Sequence, residues 1–157
     1  MIDFMALGLP RSGTAWLANL LTTDDSLCLH ESLMRHSVND LHQMQHQGLF
    51  GISETAGLFF DSVRLYPCKK LIVERPLKEI NDSLVSLGLP EIKVEYNQIY
   101  KGIVGYRIQF ADLFKYEHMS DAYNYLLGKR LSKTRHDLLC DMEVQNKQAI
   151  ADVRKML

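Results

Sequence analysis

Nine consecutive residues near the amino terminus, Gly8-Leu9-Pro10-Arg11-Ser12-Gly13-Thr14-Ala15-Trp16, have the types and order needed to seat an anion. An apolar run from Ile2 to Leu7 precedes them and reads as a strand, and Trp16, Leu17, Leu20 and Leu21 follow at helical spacing. Gly8 lets the chain leave the strand at a sharp angle, and Gly13 lets backbone approach a ligand closely. The N–H groups that open the helix have no intrahelical partner, and the positive end of the helix dipole lies beside them. Together they make a seat for phosphate or sulfate.

The spacing Gly8-x4-Gly13 begins like the loop of a nucleotide triphosphatase, but the next two positions, where Lys and then Ser or Thr belong, hold Thr14 and Ala15. No lysine is there for the β- and γ-phosphates, and no hydroxyl at position 15 for Mg²⁺. The pattern argues against an intact ATPase or GTPase. It fits an anion handled without a metal, with Arg11 supplying the positive charge.

The stretch Pro10-Arg11-Ser12-Gly13-Thr14-Ala15-Trp16 resembles the 5′-phosphosulfate-binding loop of sulfotransferases, which use 3′-phosphoadenosine 5′-phosphosulfate (PAPS) and typically read Pro-Lys/Arg-Ser-Gly-Thr-Thr-Trp. The resemblance implies that Arg11 contacts the bridging and sulfuryl oxygens, that the amides of Ser12, Gly13, Thr14, Ala15 and Trp16 hold the 5′-phosphate, and that the Trp16 ring lies against the adenine. Ala15 departs from the pattern: one hydroxyl is missing, while the backbone N–H remains.

A second resemblance lies downstream. In the same family an arginine at the end of a strand and a serine eight residues later hold the 3′-phosphate; Arg75, after the apolar run Lys70 to Glu74, and Ser83 have that spacing. A strand end and the second turn of the next helix border one sheet edge, so guanidinium and hydroxyl can converge on a single phosphate. The plainer reading is an Arg75–Glu79 surface pair beside an ordinary helical serine. A 3′-phosphate clamp has no use in an ordinary ATP enzyme, so the two motifs support one another.

Ser26-Leu27-Cys28-Leu29 reads as a short strand that ends at His30-Glu31, and in open α/β sheets the working residues sit just past the carboxyl ends of strands. The position of Glu31 is similar to that of the catalytic glutamate in bacterial trehalose sulfotransferases. A hydroxyl attacking sulfur must lose its proton, and a carboxylate or imidazole within hydrogen-bond reach can take it. Glu31 is therefore the candidate base, with His30 its substitute and Glu54, at the exit of a strand over Gly48 to Ser53, a further one. The alternative for Glu31 is an N-cap or first-turn acid of the next helix.

These residues need a scaffold. With 157 residues the chain is read as one domain, 1–157, of three-layer α/β/α type with a mainly parallel sheet, P-loop NTPase-like and sulfotransferase-like. Further elements are expected as helices over Val38 to Gln47, Leu58 to Tyr66, Leu77 to Leu87, Val94 to Ile103 and Asp121 to Leu127, and as strands over Lys70 to Glu74 and Tyr106 to Phe110. Lys129 to Arg135 reads as a solvated basic face, with Lys129 and Arg130 as possible further phosphate contacts, and Met142 to Leu157 as an amphipathic terminal helix for this domain or a second copy. His42 and His46 lie one turn apart but lack the glutamate a metalloprotease helix carries and have no third ligand in view, so no metal site is expected.

A net charge of −1 points to no nucleic-acid or membrane partner. Cys28, Cys68 and Cys140 are too few and too scattered for a disulfide framework, and no leader or spanning segment is read, so a cytoplasmic location is expected. The expected function is metal-independent transfer of sulfuryl from PAPS to a hydroxyl or amine, on a small-molecule or saccharide acceptor, in a possible homodimer. Two alternatives stay open: a nucleotide kinase with a degenerate loop, and a non-catalytic binder of PAPS or of its product adenosine 3′,5′-bisphosphate (PAP).

Overall fold

The computed structural model describes residues 1–142. In chain order the elements are β1 (Phe4–Gly8), α1 (Thr14–Leu21), β2 (Ser26–His30), α2 (Val38–Gln43), β3 (Leu49–Glu54), α3 (Asp61–Arg64), β4 (Lys69–Glu74), α4 (Leu77–Ser86), α5 (Tyr96–Ile99), β5 (Tyr106–Gln109), α6 (Tyr116–Leu127) and α7 (Lys133–Asp141). The five strands form one sheet in the order β2-β3-β1-β4-β5, every pair parallel. Parallel neighbours require crossovers, and the helices supply them on both faces.

Strand alternation divides the core into two. Phe4 and Ala6 of β1 and Leu71 and Val73 of β4 face Trp16, Leu17, Leu20 and Leu21 of α1 and Met119, Ala122 and Leu126 of α6. Met5, Leu7 and Ile72 face the other way, onto Leu41, Leu58, Val63, Ile80 and Leu84. β1 is buried along its whole length, as the central strand of a sheet covered on both sides must be. Gly51 of β3 makes room for Phe4: a Cβ there would lie 2.2 Å from the Phe4 ring. Gly51→Ala is therefore expected to cost roughly 1–3 kcal/mol as Phe4 is displaced, read as a lower urea midpoint with unchanged slope.

Several expected boundaries move. The helix read over Leu58 to Tyr66 is a 3₁₀ turn, Ala56–Phe59, followed by α3, because Phe60 is extended at φ −113°, ψ 119°. Leu58 and Val63 are buried all the same. The helix read over Val94 to Ile103 shrinks to α5, one turn. Asn81 of α4 takes up the backbone of Ile92, donating to its C=O at 3.1 Å and accepting its N–H at 2.9 Å. That tertiary clamp holds the approach segment outside any helix, and Gly102, at φ 77°, lies just beyond α5. α2 ends at Gln43 rather than Gln47, and its start carries a Ser37/Asp40 capping box. α6 begins at Tyr116 rather than Asp121 and closes on Gly128 in the left-handed conformation.

The basic run is not simply a solvated face. Ser132 caps α7, and the Arg135 guanidinium donates to the carbonyls of Asn19, Leu20 and Thr22 at the end of α1. Cationic donors at a helix carboxyl terminus satisfy orphan carbonyls and oppose the dipole. Lys129 pairs with Asp25. The terminal helix read from Met142 onward lies, beyond Met142, outside the described residues. Among the described residues no helix is long and apolar enough to cross a membrane.

Candidate functional site

The carboxyl ends of β1, β2, β3 and β4 converge around the glycine loop. The loop turns on itself through Ser12 N–H donating to Leu9 C=O at 3.2 Å, so of the amides expected to face an anion, that of Ser12 is engaged internally. Gly13, in the left-handed region at φ 81°, launches α1, and the first intrahelical bond is Leu17 N–H to Gly13 C=O at 2.9 Å. The N–H groups of Thr14, Ala15 and Trp16 precede it and find no acceptor within the helix. A Cβ at position 13 would meet Leu113 at 2.8 Å, so glycine is needed there for space as well as for backbone angle. Arg11 is also left-handed, at φ 66°, a conformation uncommon for a non-glycine residue and often found where a ligand is handled.

The second motif meets the first. Arg11 Nε donates to Ser83 Oγ at 3.0 Å, and Arg75 donates through Nη1 to the Arg11 carbonyl, joining residues 72 and 64 positions apart in sequence. The Arg75 side chain is mostly buried, and its guanidinium lies over the Phe110 ring at 4.0 Å. Register explains that stack: Glu74 of β4 is opposite Gln109 of β5, so Arg75 and Phe110 leave neighbouring strands side by side. The Arg75–Glu79 contact is present too, at 3.4 Å with a half-exposed carboxylate, and coexists with the contact to the loop. Burial, then the neighbouring Arg75 charge, pushes the Arg11 guanidinium below its ordinary value. Two guanidinium groups held together beside unpartnered helix amides are suited to a doubly charged anion. Ser12 Oγ, fully buried and without a hydrogen-bond partner, faces the same need.

On the other flank, His30 Nε2 lies 3.3 Å from Thr14 Oγ1 and 3.5 Å from Glu31 Oε1. Burial lowers the His30 pKa, with the Glu31 charge opposing, so the ring is mainly neutral at pH 7. Glu31 accepts Thr55 N–H at 3.1 Å and sits at φ 51°, and it is the cap residue of a 3₁₀ turn, Ser32–Met34, rather than part of an α-helix. His30, Glu31 and Thr14 therefore form one contiguous polar edge beside the loop. Glu54, pushed up to about 6 chiefly by burial, is inaccessible: its Oε1 is held by Ser32 and Leu33 and its Oε2 has no partner.

A stability signature follows from Glu54. Its unfolded value is near 4.5 and its folded value about 6, so between these the folded chain holds a proton that the unfolded chain has lost. Stability should fall by about 2 kcal/mol as pH rises through that window. Thermal unfolding from pH 4 to 7 checks it: wild type should lose more of its melting temperature over this range than Glu54→Gln, and parallel curves would exclude the effect.

Trp16 is placed otherwise than expected. The residue is only 4% exposed, its Nε1 donates to Leu139 C=O of α7 at 3.0 Å, and Phe114 and His136 pack edge-on against its ring. An adenine against its face would require Phe114 or α7 to move. Lys129 and Arg130 flank the start of α7, and Lys129 is spent on Asp25. His42 meets the Tyr66 hydroxyl and His46 the Phe50 ring, so the two histidines have separate partners. Sequence reading missed Phe110 beneath Arg75 and the Thr14–His30 contact. Both depend on strand order, which no local spacing encodes.

No family model matches this chain, and no curated protein matches it at the level of sequence. Among solved structures it is similar to mouse sulfotransferase SULT7A1 complexed with PAP, with a TM-score of 0.52 and 14% identity over 88% of this chain. The match covers 62% of the mouse chain, so this chain spans less than two thirds of that protein's length. The likeness establishes the fold: a parallel α/β sheet with flanking helices, arranged as in a sulfotransferase.

Proposed function

We propose that the protein transfers a sulfuryl group from PAPS to a hydroxyl or amine acceptor. The observation that carries this reading is the direct contact of the two motifs, Arg11 to Ser83 and Arg75 to the Arg11 carbonyl, which places two cationic groups and a helix amino terminus at one sheet edge. A nucleotide phosphorylated at both its 3′ and 5′ positions needs such paired seats. A triphosphate would need a lysine and a magnesium-holding hydroxyl that Thr14 and Ala15 do not provide.

In this reading the amides of Thr14, Ala15 and Trp16 hold the 5′-phosphate, Arg11 turns from Ser83 toward the bridging oxygen, and Arg75 with Ser83 takes the 3′-phosphate. Glu31 accepts the acceptor's proton, with neutral His30 beside it as a second proton acceptor. The acceptor oxygen or nitrogen bonds to sulfur as the bond from sulfur to the bridging oxygen breaks. Its electron pair leaves on the 5′-phosphate of PAP, where Arg11 and the helix dipole stabilise the added charge. Like the fold likeness, the PAP in the mouse structure supports this donor class.

A thermal-shift series tests the reading. PAPS and PAP should each raise the melting temperature, with a shift that grows with concentration, while ATP with Mg²⁺ leaves it unchanged. A shift with ATP–Mg²⁺ alone would replace the reading by the degenerate kinase. Binding of labelled PAPS with no transfer to a panel of sugars, phenols, alcohols and amines would favour a binding protein over an enzyme.

A further inference from the structure

Glu54 closes β3 fully buried, and the transfer chemistry above gives it no part. Its Oε1 accepts Ser32 Oγ at 2.6 Å and Leu33 N–H at 3.1 Å, from the two residues directly after Glu31. Its neighbours in β3 and just beyond act on Glu31 itself: Ser53 C=O accepts Glu31 N–H at 3.0 Å, and Thr55 N–H donates to Glu31 Oε1 at 3.1 Å. Register dictates the meeting, since His30 of β2 lies opposite Ser53 of β3. Three successive residues thus hold the backbone, the following turn and the side chain of one glutamate. That glutamate is in the left-handed region, a conformation that persists only where its surroundings enforce it.

We propose that Glu54 is the positioning residue for Glu31: one buried carboxylate oxygen, by fixing the Ser32–Leu33 turn, keeps the Glu31 carboxylate at the mouth of the glycine loop beside His30. A leucine of similar volume would fill the space without the cost of desolvating a carboxylate. What the carboxylate adds is an acceptor for two donors of one turn. Oε2 makes no contact with a polar partner, so a single oxygen carries the function and an amide can replace the acid.

The consequence for turnover rests on Glu31 as the base, whereas the holding of the turn does not, and the experiment separates them. Amide hydrogen exchange and PAP affinity are compared in wild type, Glu54→Gln and Glu54→Leu. In Glu54→Leu, exchange at Leu33 and Thr55 should rise about tenfold or more, as expected for losing two hydrogen bonds to a charged acceptor, while PAP affinity stays within about twofold. Glu54→Gln should restore most of the protection. The Leu33 amide reports the turn and the Thr55 amide reports the Glu31 side chain. Unchanged exchange at both, or an equal rise at Leu7 and Ile72 in the central strands, would overturn the proposal. Failure of wild type to bind PAP would remove the sulfotransferase reading and leave the exchange comparison intact.

Discussion

Arg75→Ala should weaken PAP about 10- to 100-fold while changing the affinity for adenosine 5′-phosphate less than about threefold, the loss expected when a forked, charge-assisted pair of hydrogen bonds to one phosphate disappears. The asymmetry between the two nucleotides is the informative quantity. Arg75 also donates to the Arg11 carbonyl and stacks on Phe110, so its removal loosens the loop to some degree for every ligand. Only the 3′-phosphate distinguishes PAP from adenosine 5′-phosphate. Arg75→Lys should fall between, because an ammonium keeps the charge without the fork or the stack. Isothermal titration of both nucleotides against the three proteins decides it, and equal losses would mean that Arg75 braces the loop without touching a 3′-phosphate.

Glu31→Gln should lower turnover about 10²- to 10⁴-fold, the usual worth of a positioned general base, with PAPS affinity within about twofold of wild type. Glutamine can still accept Thr55 N–H, so the turn keeps its shape and the change isolates proton transfer. His30→Ala, by contrast, should leave most of the rate, since in this reading the neutral imidazole assists Glu31. Turnover measured with labelled PAPS and any acceptor from the panel discriminates the two. If Glu31→Gln keeps full activity and His30→Ala loses it, the roles of the pair are exchanged.

Much of the fold is legible from periodicity. The apolar runs that become β1 and β4 are buried on both faces, and Gly13 takes the left-handed angle that glycine permits, whereas the left-handed angle of Arg11 is not legible from residue type. Elements whose ends are set by distant partners are not legible. The segment leading to α5 is held by Asn81 bonding the backbone of Ile92, α3 is separate because Phe60 is extended, and the last carbonyls of α1 are closed by Arg135 from more than a hundred residues away. In the first and third a side chain from elsewhere satisfies backbone groups, whereas at Phe60 the extended backbone itself separates the two turns.

The residues themselves, by type and local spacing, determined the glycine-bracketed loop between β1 and α1, the absence from it of a P-loop lysine and magnesium-holding hydroxyl, and the strand ends after which Arg75 and Glu31 stand. Only the tertiary structure decided that Arg11 touches Ser83, that Arg75 rests on Phe110, that Trp16 is enclosed by α7, and that Glu54 is buried behind Glu31. The reason is physical. Turn and helix angles are dictated by neighbours a few residues apart, whereas a parallel sheet brings together strand ends separated by whole crossovers, in an order fixed by packing on both faces.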